Sequence, residues 1–132
     1  MTREEFIAIL DEKRYSHEIE RNKIVVIHEG DVYLNALTSL PPGVEFKNGG
    51  GVHLDGLTSL PPGVVFKNRG HFTGDVDLES LTSISPGVVF ENGGDVHLKA
   101  LTGDWFSKWK GNIEGIDSKR LLNLMIKQGM FI

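Results

Sequence analysis

The feature that most constrains this chain is an internal repeat with a period of 20 residues. The units read DVYLNALTSLPPGVEFKNGG from Asp31, GVHLDGLTSLPPGVVFKNRG from Gly51 and DVDLESLTSISPGVVFENGG from Asp75, with a truncated DVHLKALTG from Asp95. A unit this short cannot bury its own apolar face, so copies must stack and share one core. The repeat is interrupted once. His71-Phe72-Thr73-Gly74 is inserted after the second unit and stretches the Leu54 to Leu78 spacing to 24 residues. The repeat also accounts for the 16 glycines, which would otherwise be an anomaly in a chain of 132 residues.

Inside each unit, Val-x-Leu (Val32, Leu34) and Val-x-Phe (Val44, Phe46) alternate with period two. That period sends one set of side chains inward and the other outward on an extended strand, so two short strands per coil are expected. Between them runs Leu-Thr-Ser-Leu-Pro-Pro-Gly. Proline removes a ladder donor and glycine permits positive φ, so the spacing predicts a turn there. Asn48-Gly49-Gly50 makes the second corner. Stacking then sets Val on Val, Leu on Leu and Phe on Phe. The expected fold is mainly β with α caps: a short β-solenoid of about four 20-residue coils, closed by a helix at each end.

The ends need those caps, because an open solenoid exposes a strand edge and its core. Residues 1–15 are expected to form an N-terminal helix cap, with Thr2 and Glu5 as a capping box and Phe6, Ile9 and Leu10 as its apolar stripe. Residues 16–30 read as a β-hairpin leading in, His17 to Glu20 and Ile24 to Ile27 around Arg21-Asn22-Lys23. The repeat solenoid occupies 31–104, with the insertion at 71–74. Residues 105–132 carry Trp105 and Trp109 and a C-terminal helix cap, started by Asp117 or Ser118 and ended by Gly129. The whole chain is expected to be a single domain.

Leu37-Thr38-Ser39-Leu40-Pro41 and Leu57-Thr58-Ser59-Leu60-Pro61 resemble the LTSLP core of bacterial leucine-rich repeats. Those repeats usually read LxxLxLxxN, whereas here Val-x-Leu-x-x-Leu precedes the core and Gly-Val-x-Phe-x-Asn follows it. The chain is more similar to short glycine-rich solenoid repeat proteins of bacteria and phages, mostly of unassigned function. The similarity covers roughly residues 30 to 102. It implies an architecture and, by analogy, binding rather than catalysis.

Composition closes off other classes. Without cysteine there is no disulfide framework, thiolate metal site or cysteine nucleophile. A net charge of −4, with 14 basic and 18 acidic residues, argues against a large phosphate-binding surface, and nucleic acid is not the expected partner. Only residues 105–132 are basic, at +3. No apolar run reaches membrane-spanning length and the first residues lack the pattern of a secretory signal, so a cytoplasmic protein without membrane contact is expected.

Stacking aligns the outward positions as well, and the residue between Val and Leu gives the column Tyr33, His53, Asp77 and His97. Asp31, Asp75 and Asp95 flank it on one side, and Asn35, Asp55, Glu79 and Lys99 on the other. The column reads as a protein-binding strip or as solvated surface. A metal site is not expected, because His53 and His97 fall two coils apart, about 9 to 10 Å at normal strand separation. Asn48, Asn68 and Asn92 read as turn residues, and Ser39, Ser59 and Ser83 lack the glycine elbow of a nucleophile. Two further candidates are His71 and Phe72, in a loop that must bulge from the stack, and Trp105 with Trp109, which share a helical face and either plug the last coil or contact a partner.

A stack filled by Val, Leu and Phe offers flat faces rather than a pocket with converging acid, base and nucleophile. No enzyme and no cofactor are expected. The leading expectation is a non-enzymatic protein-interaction module, in its sharpest form a phage or mobile-element inhibitor of a host protein such as a bacterial defence complex. The alternatives are a homo-oligomerising structural module and a small-ligand or nucleotide-binding protein.

Overall fold

Thr2 opens the helix α1, Arg3–Glu12. Its Oγ1 accepts from the Glu5 N–H at 3.1 Å and the Glu5 carboxylate accepts from the Thr2 N–H at 3.4 Å, closing the capping box. Phe6 and Leu10, four residues apart, share a face and are fully buried against the end of the β core. In this computed structural model the described residues are 1–69, 74–85, 87–94, 96–98 and 113–114. The C-terminal helix cap, Trp105, Trp109, His71 and Phe72 lie outside them.

After α1 the chain forms β1 (His17–Glu20) and β2 (Lys23–Val26), an antiparallel pair joined at Arg21, whose φ is 57°. From there it winds into a parallel β-solenoid of about 3 turns. The strands are β3 (Val32–Tyr33), β4 (Val44–Phe46), β5 (Val52–His53), β6 (Ser59–Leu60), β7 (Val65–Phe66), β8 (Val76–Asp77), β9 (Ser83–Ile84), β10 (Val88–Phe90), β11 (Val96–His97) and β12 (Ile113–Glu114). They form a six-stranded sheet β1-β2-β4-β7-β10-β12, a four-stranded sheet β11-β8-β5-β3 and a pair β6-β9.

Register follows the repeat. Val32 pairs with Val52, Val52 with Val76 and Val76 with Val96; Phe46 pairs with Phe66 and Phe66 with Phe90. The insertion does not shift this register, for Val76 and Asp77 still meet Val52 and His53. Inside, the Phe46, Phe66 and Phe90 rings stack with planes 5° apart, and the Val and Leu columns are almost completely buried. Each such side chain contributes roughly 1.5–3 kcal/mol by leaving water, several times an exposed ion pair, so these columns hold the fold.

Three local features differ from the sequence expectation. First, Leu-Thr-Ser-Leu is not purely a turn: β6 and β9 add a third short strand to a coil, because the Thr82 N–H reaches the Thr58 carbonyl at 3.0 Å before the proline interrupts the ladder. The corner itself comes at the glycine, where Gly43, Gly63 and Gly87 have φ of 78°, 82° and 82°, the left-handed region that glycine adopts without strain. Second, β2 is more than a lead-in. Ile24 and Val26 pair in parallel with Val44 and Phe46, so the hairpin's second strand already occupies the Val-x-Phe place of a coil. Third, Glu45 sits at an outward position of β4 and yet is only 6% exposed. The Lys67 and Lys47 ammonium groups lie 3.4 and 3.8 Å from its carboxylate and compensate the buried charge.

The N-terminal end of the four-stranded sheet is closed by a side chain. The Tyr33 N–H, on the free edge of β3, donates to the Tyr15 hydroxyl at 3.1 Å. That bond satisfies an edge donor that would otherwise template another strand.

A candidate interaction strip

The strip is built on the four-stranded sheet. Val and Leu face inward from each strand, so the residue between them must face outward, and the parallel register aligns Tyr33, His53, Asp77 and His97 in that order. These four of the eight sequence candidates are brought together. The structure also shows contacts that alternation alone could not.

The Tyr33 and His53 rings stack at 4.6 Å with planes 6° apart. On the other side, His53 Nδ1 lies 2.7 Å from Asp77 Oδ2, while His53 Nε2 faces Asp31 Oδ2 at 3.7 Å. His97 Nε2 in turn lies 3.3 Å from Asp75 Oδ2 and 3.7 Å from Asp77 Oδ1. Imidazoles and carboxylates therefore alternate across successive coils. Tyr33 is 53% exposed and the other members are half-buried.

Asp31 anchors one end. Its Oδ1 accepts the Gly51 N–H at 2.7 Å and its Oδ2 accepts the Tyr33 hydroxyl at 3.1 Å. The Gly51 N–H, and after it the Tyr33 hydroxyl and the His53 ring, hold the Asp31 carboxyl below its ordinary range against the opposing effect of burial. The same carboxylate pushes the Tyr33 hydroxyl above its ordinary value. A Cβ at Gly50 would collide with the Asp31 carboxylate and one at Gly94 with that of Asp75, so a glycine one coil on makes room for each of these acids.

Gly51 is the residue that sequence reasoning passed over. It stands where the other units begin with Asp, and a Cβ there would lie 3.3 Å from His53 Nε2. The missing side chain leaves space for the His53 ring to lean toward Asp31. The signal was the one unit that opens with glycine. On the far flank, Asn35 and Asp55 each use a side-chain oxygen to accept the backbone N–H one coil on, from Asp55 at 2.8 Å and Glu79 at 3.2 Å. Their side chains tie coils together.

The corner asparagines also belong to the scaffold. Asn48, Asn68 and Asn92 are buried, and each amide donates to carbonyls of its own corner and of the coil before, for example Asn68 Nδ2 to Asp75 O at 3.2 Å and Gly50 O at 3.0 Å. Among the described residues no group of three His, Asp or Glu side chains is placed to hold a metal ion, and no helix is long and apolar enough to cross a membrane. Comparison with protein-family models, with curated proteins and with solved structures returns no match for this chain.

Proposed function

We propose that this protein is a non-enzymatic interaction module that presents the Tyr33, His53, Asp77 and His97 strip to another protein. The observation that carries the reading is the order of the strip in the free chain: Tyr33 is stacked on His53 and bonded to Asp31, and both imidazoles meet carboxylates. An exposed aromatic side chain already fixed in one position loses little conformational entropy on binding, and tyrosine is among the residue types enriched at binding hot spots. The flat face of parallel rungs suits a macromolecular partner better than a small ligand, which needs a concave site.

The narrower form of the proposal is a phage or mobile-element inhibitor whose partner is a host bacterial protein with a basic channel. Asp31, Asp75 and Asp77 along one face support it, as carboxylates at regular spacing complement such a channel. A pull-down from bacterial lysate, read by mass spectrometry, tests the main reading with the wild type and a variant carrying alanine at Tyr33, His53, Asp77 and His97. A protein retained by the wild type and lost by the variant supports the strip. Equal capture by both refutes it. For the narrower form, retention must weaken as salt rises; binding indifferent to ionic strength counts against charge complementarity.

A further inference from the structure

We propose that Asn48 and Asn92 are self-modification sites that mark an opened stack: the closed solenoid blocks loss of their side-chain ammonia, and a coil that opens loses it for good. They are the only asparagines of the chain followed by glycine, at Asn48-Gly49 and Asn92-Gly93. At such a step the backbone nitrogen of the second residue reaches the preceding side chain with least hindrance, because glycine has no Cβ.

The chemistry needs only water. The Gly49 nitrogen gives its proton to solvent base and bonds to Asn48 Cγ; the Cγ–Nδ2 bond breaks, and the departing amide nitrogen takes a proton from solvent and leaves as ammonia. A cyclic imide remains. Water then opens it at either carbonyl, leaving an aspartate or an isoaspartate whose main chain runs through the former side chain. Asn92 and Gly93 react in the same way.

The fold withholds both reacting groups. The Gly49 N–H donates to the His28 carbonyl and the Gly93 N–H to the Asn68 carbonyl, each at 2.9 Å, so both attacking nitrogens keep their protons on the coil before. The amides are fixed as well. Asn48 Nδ2 lies 3.0 to 3.2 Å from the carbonyl oxygens of Gly30, Gly50 and Gly51, and Asn92 Nδ2 lies 2.8 and 3.1 Å from those of Gly74 and Gly94. Both residues are buried. Ring closure requires the amide to leave these carbonyls and water to enter, so it waits for the corner to open.

The group that departs is the donor that holds the corner. An ionised aspartate at 48 offers only acceptors to the Gly30, Gly50 and Gly51 carbonyls. An isoaspartate lengthens the main chain between β4 and β5, whose pairing is set to the residue. Neither product restores the corner, so an opening that lasts long enough is recorded. Asn68 is the internal reference: the Arg69 N–H donates to the Asn48 carbonyl at 3.1 Å as at the other corners, but the next residue carries a side chain that hinders attack even in the open chain.

The full wild-type chain is aged in mildly alkaline buffer with and without guanidinium, and peptide mass spectrometry follows amide-to-acid conversion at each asparagine. In guanidinium Asn48 and Asn92 should convert while Asn68 keeps its amide. In native buffer conversion at 48 and 92 should be at least about tenfold slower. Equal rates in the two buffers overturn the protection, and conversion of Asn68 as fast as that of Asn48 and Asn92 overturns the choice of sites. Chains aged in guanidinium are then returned to native buffer and given a brief protease pulse. The surviving fraction should carry amides at 48 and 92 and the digested fraction the acids; equal acid content in both overturns the marking.

Discussion

Phe66 lies between Phe46 and Phe90 with ring centroids 5.3 and 5.1 Å away and planes parallel to within 5°. It is the only ring of the three with a stacked neighbour on both sides among the described residues. Its truncation therefore removes two aromatic contacts and opens a cavity in the middle coil. Phe66→Ala is expected to cost about 3 to 5 kcal/mol by chemical unfolding, whereas His53→Ala, on the outward face of the same coil, should cost less than about 1 kcal/mol near neutral pH. Equal losses would mean that the inward and outward faces have been assigned the wrong way round.

Gly63 isolates a backbone effect. Its φ is 82° and a Cβ built there meets nothing within 4 Å, so no packing change accompanies substitution. Gly63→Ala should cost about 1 to 2 kcal/mol from left-handed backbone alone, and Gly63→Asn distinctly less, since asparagine tolerates that region. Gly56 does not have a positive φ, but a Cβ there would lie 2.5 and 2.6 Å from the carbonyl oxygens of Asn35 and Leu37. Alanine at 56 should cost more than alanine at 63. Thermal unfolding of the three variants separates strain from collision.

Asn68 is buried with its amide on two carbonyls, Gly50 at 3.0 Å and Asp75 at 3.2 Å. Removing the amide deletes both bonds, each contributing about 0.5 to 1.5 kcal/mol, while the Gly50 carbonyl keeps the Asn48 amide and the Asp75 carbonyl keeps the Val52 N–H. Asn68→Ala should therefore unfold at markedly lower denaturant. Asn68→Asp should be worse, because it supplies no donor when ionised and points negative charge at the same carbonyls. If Asp is tolerated as well as Asn, the amide does not hold this corner.

Much of this architecture was legible because the repeat and the hydrogen-bond register are the same relation: once Val32, Val52, Val76 and Val96 align in sequence, they align in space. Outward Tyr33, His53, Asp77 and His97 follow for the same reason. What escaped was whatever depends on neighbours in other coils. The β6-β9 pairing needs the Thr58 carbonyl beside the Thr82 N–H, and nothing inside one Leu-Thr-Ser-Leu segment announces it. The burial of Glu45 needs two lysines, one of them a coil away. Likewise β2 could not be recognised as half a coil from period two alone, as Ile24-Val25-Val26 carries no Pro-Pro-Gly before it.

Asp31 gives the strip an acid limit of its own. Its carboxyl is held below the ordinary value of 3.8, first by the Gly51 N–H and then by the Tyr33 hydroxyl and the His53 ring. A depressed value means that the folded state favours the ionised form. The stability it adds is thus present above pH 3.8 and is lost as pH falls through the lower folded value. Asp31→Asn keeps an oxygen for Gly51 but cannot ionise, so the wild type should be the more stable of the two at neutral pH and the gap should close in strong acid. Tyr33→Phe removes one of the bonds that lower the Asp31 value, and should move the acid limb of the wild-type curve toward higher pH. Unfolding midpoints from about pH 6 down to about pH 2 for the three proteins check both. A gap between the wild type and Asp31→Asn that stays constant over that range would show that the Gly51 N–H and the Tyr33 hydroxyl do not favour the ionised carboxylate.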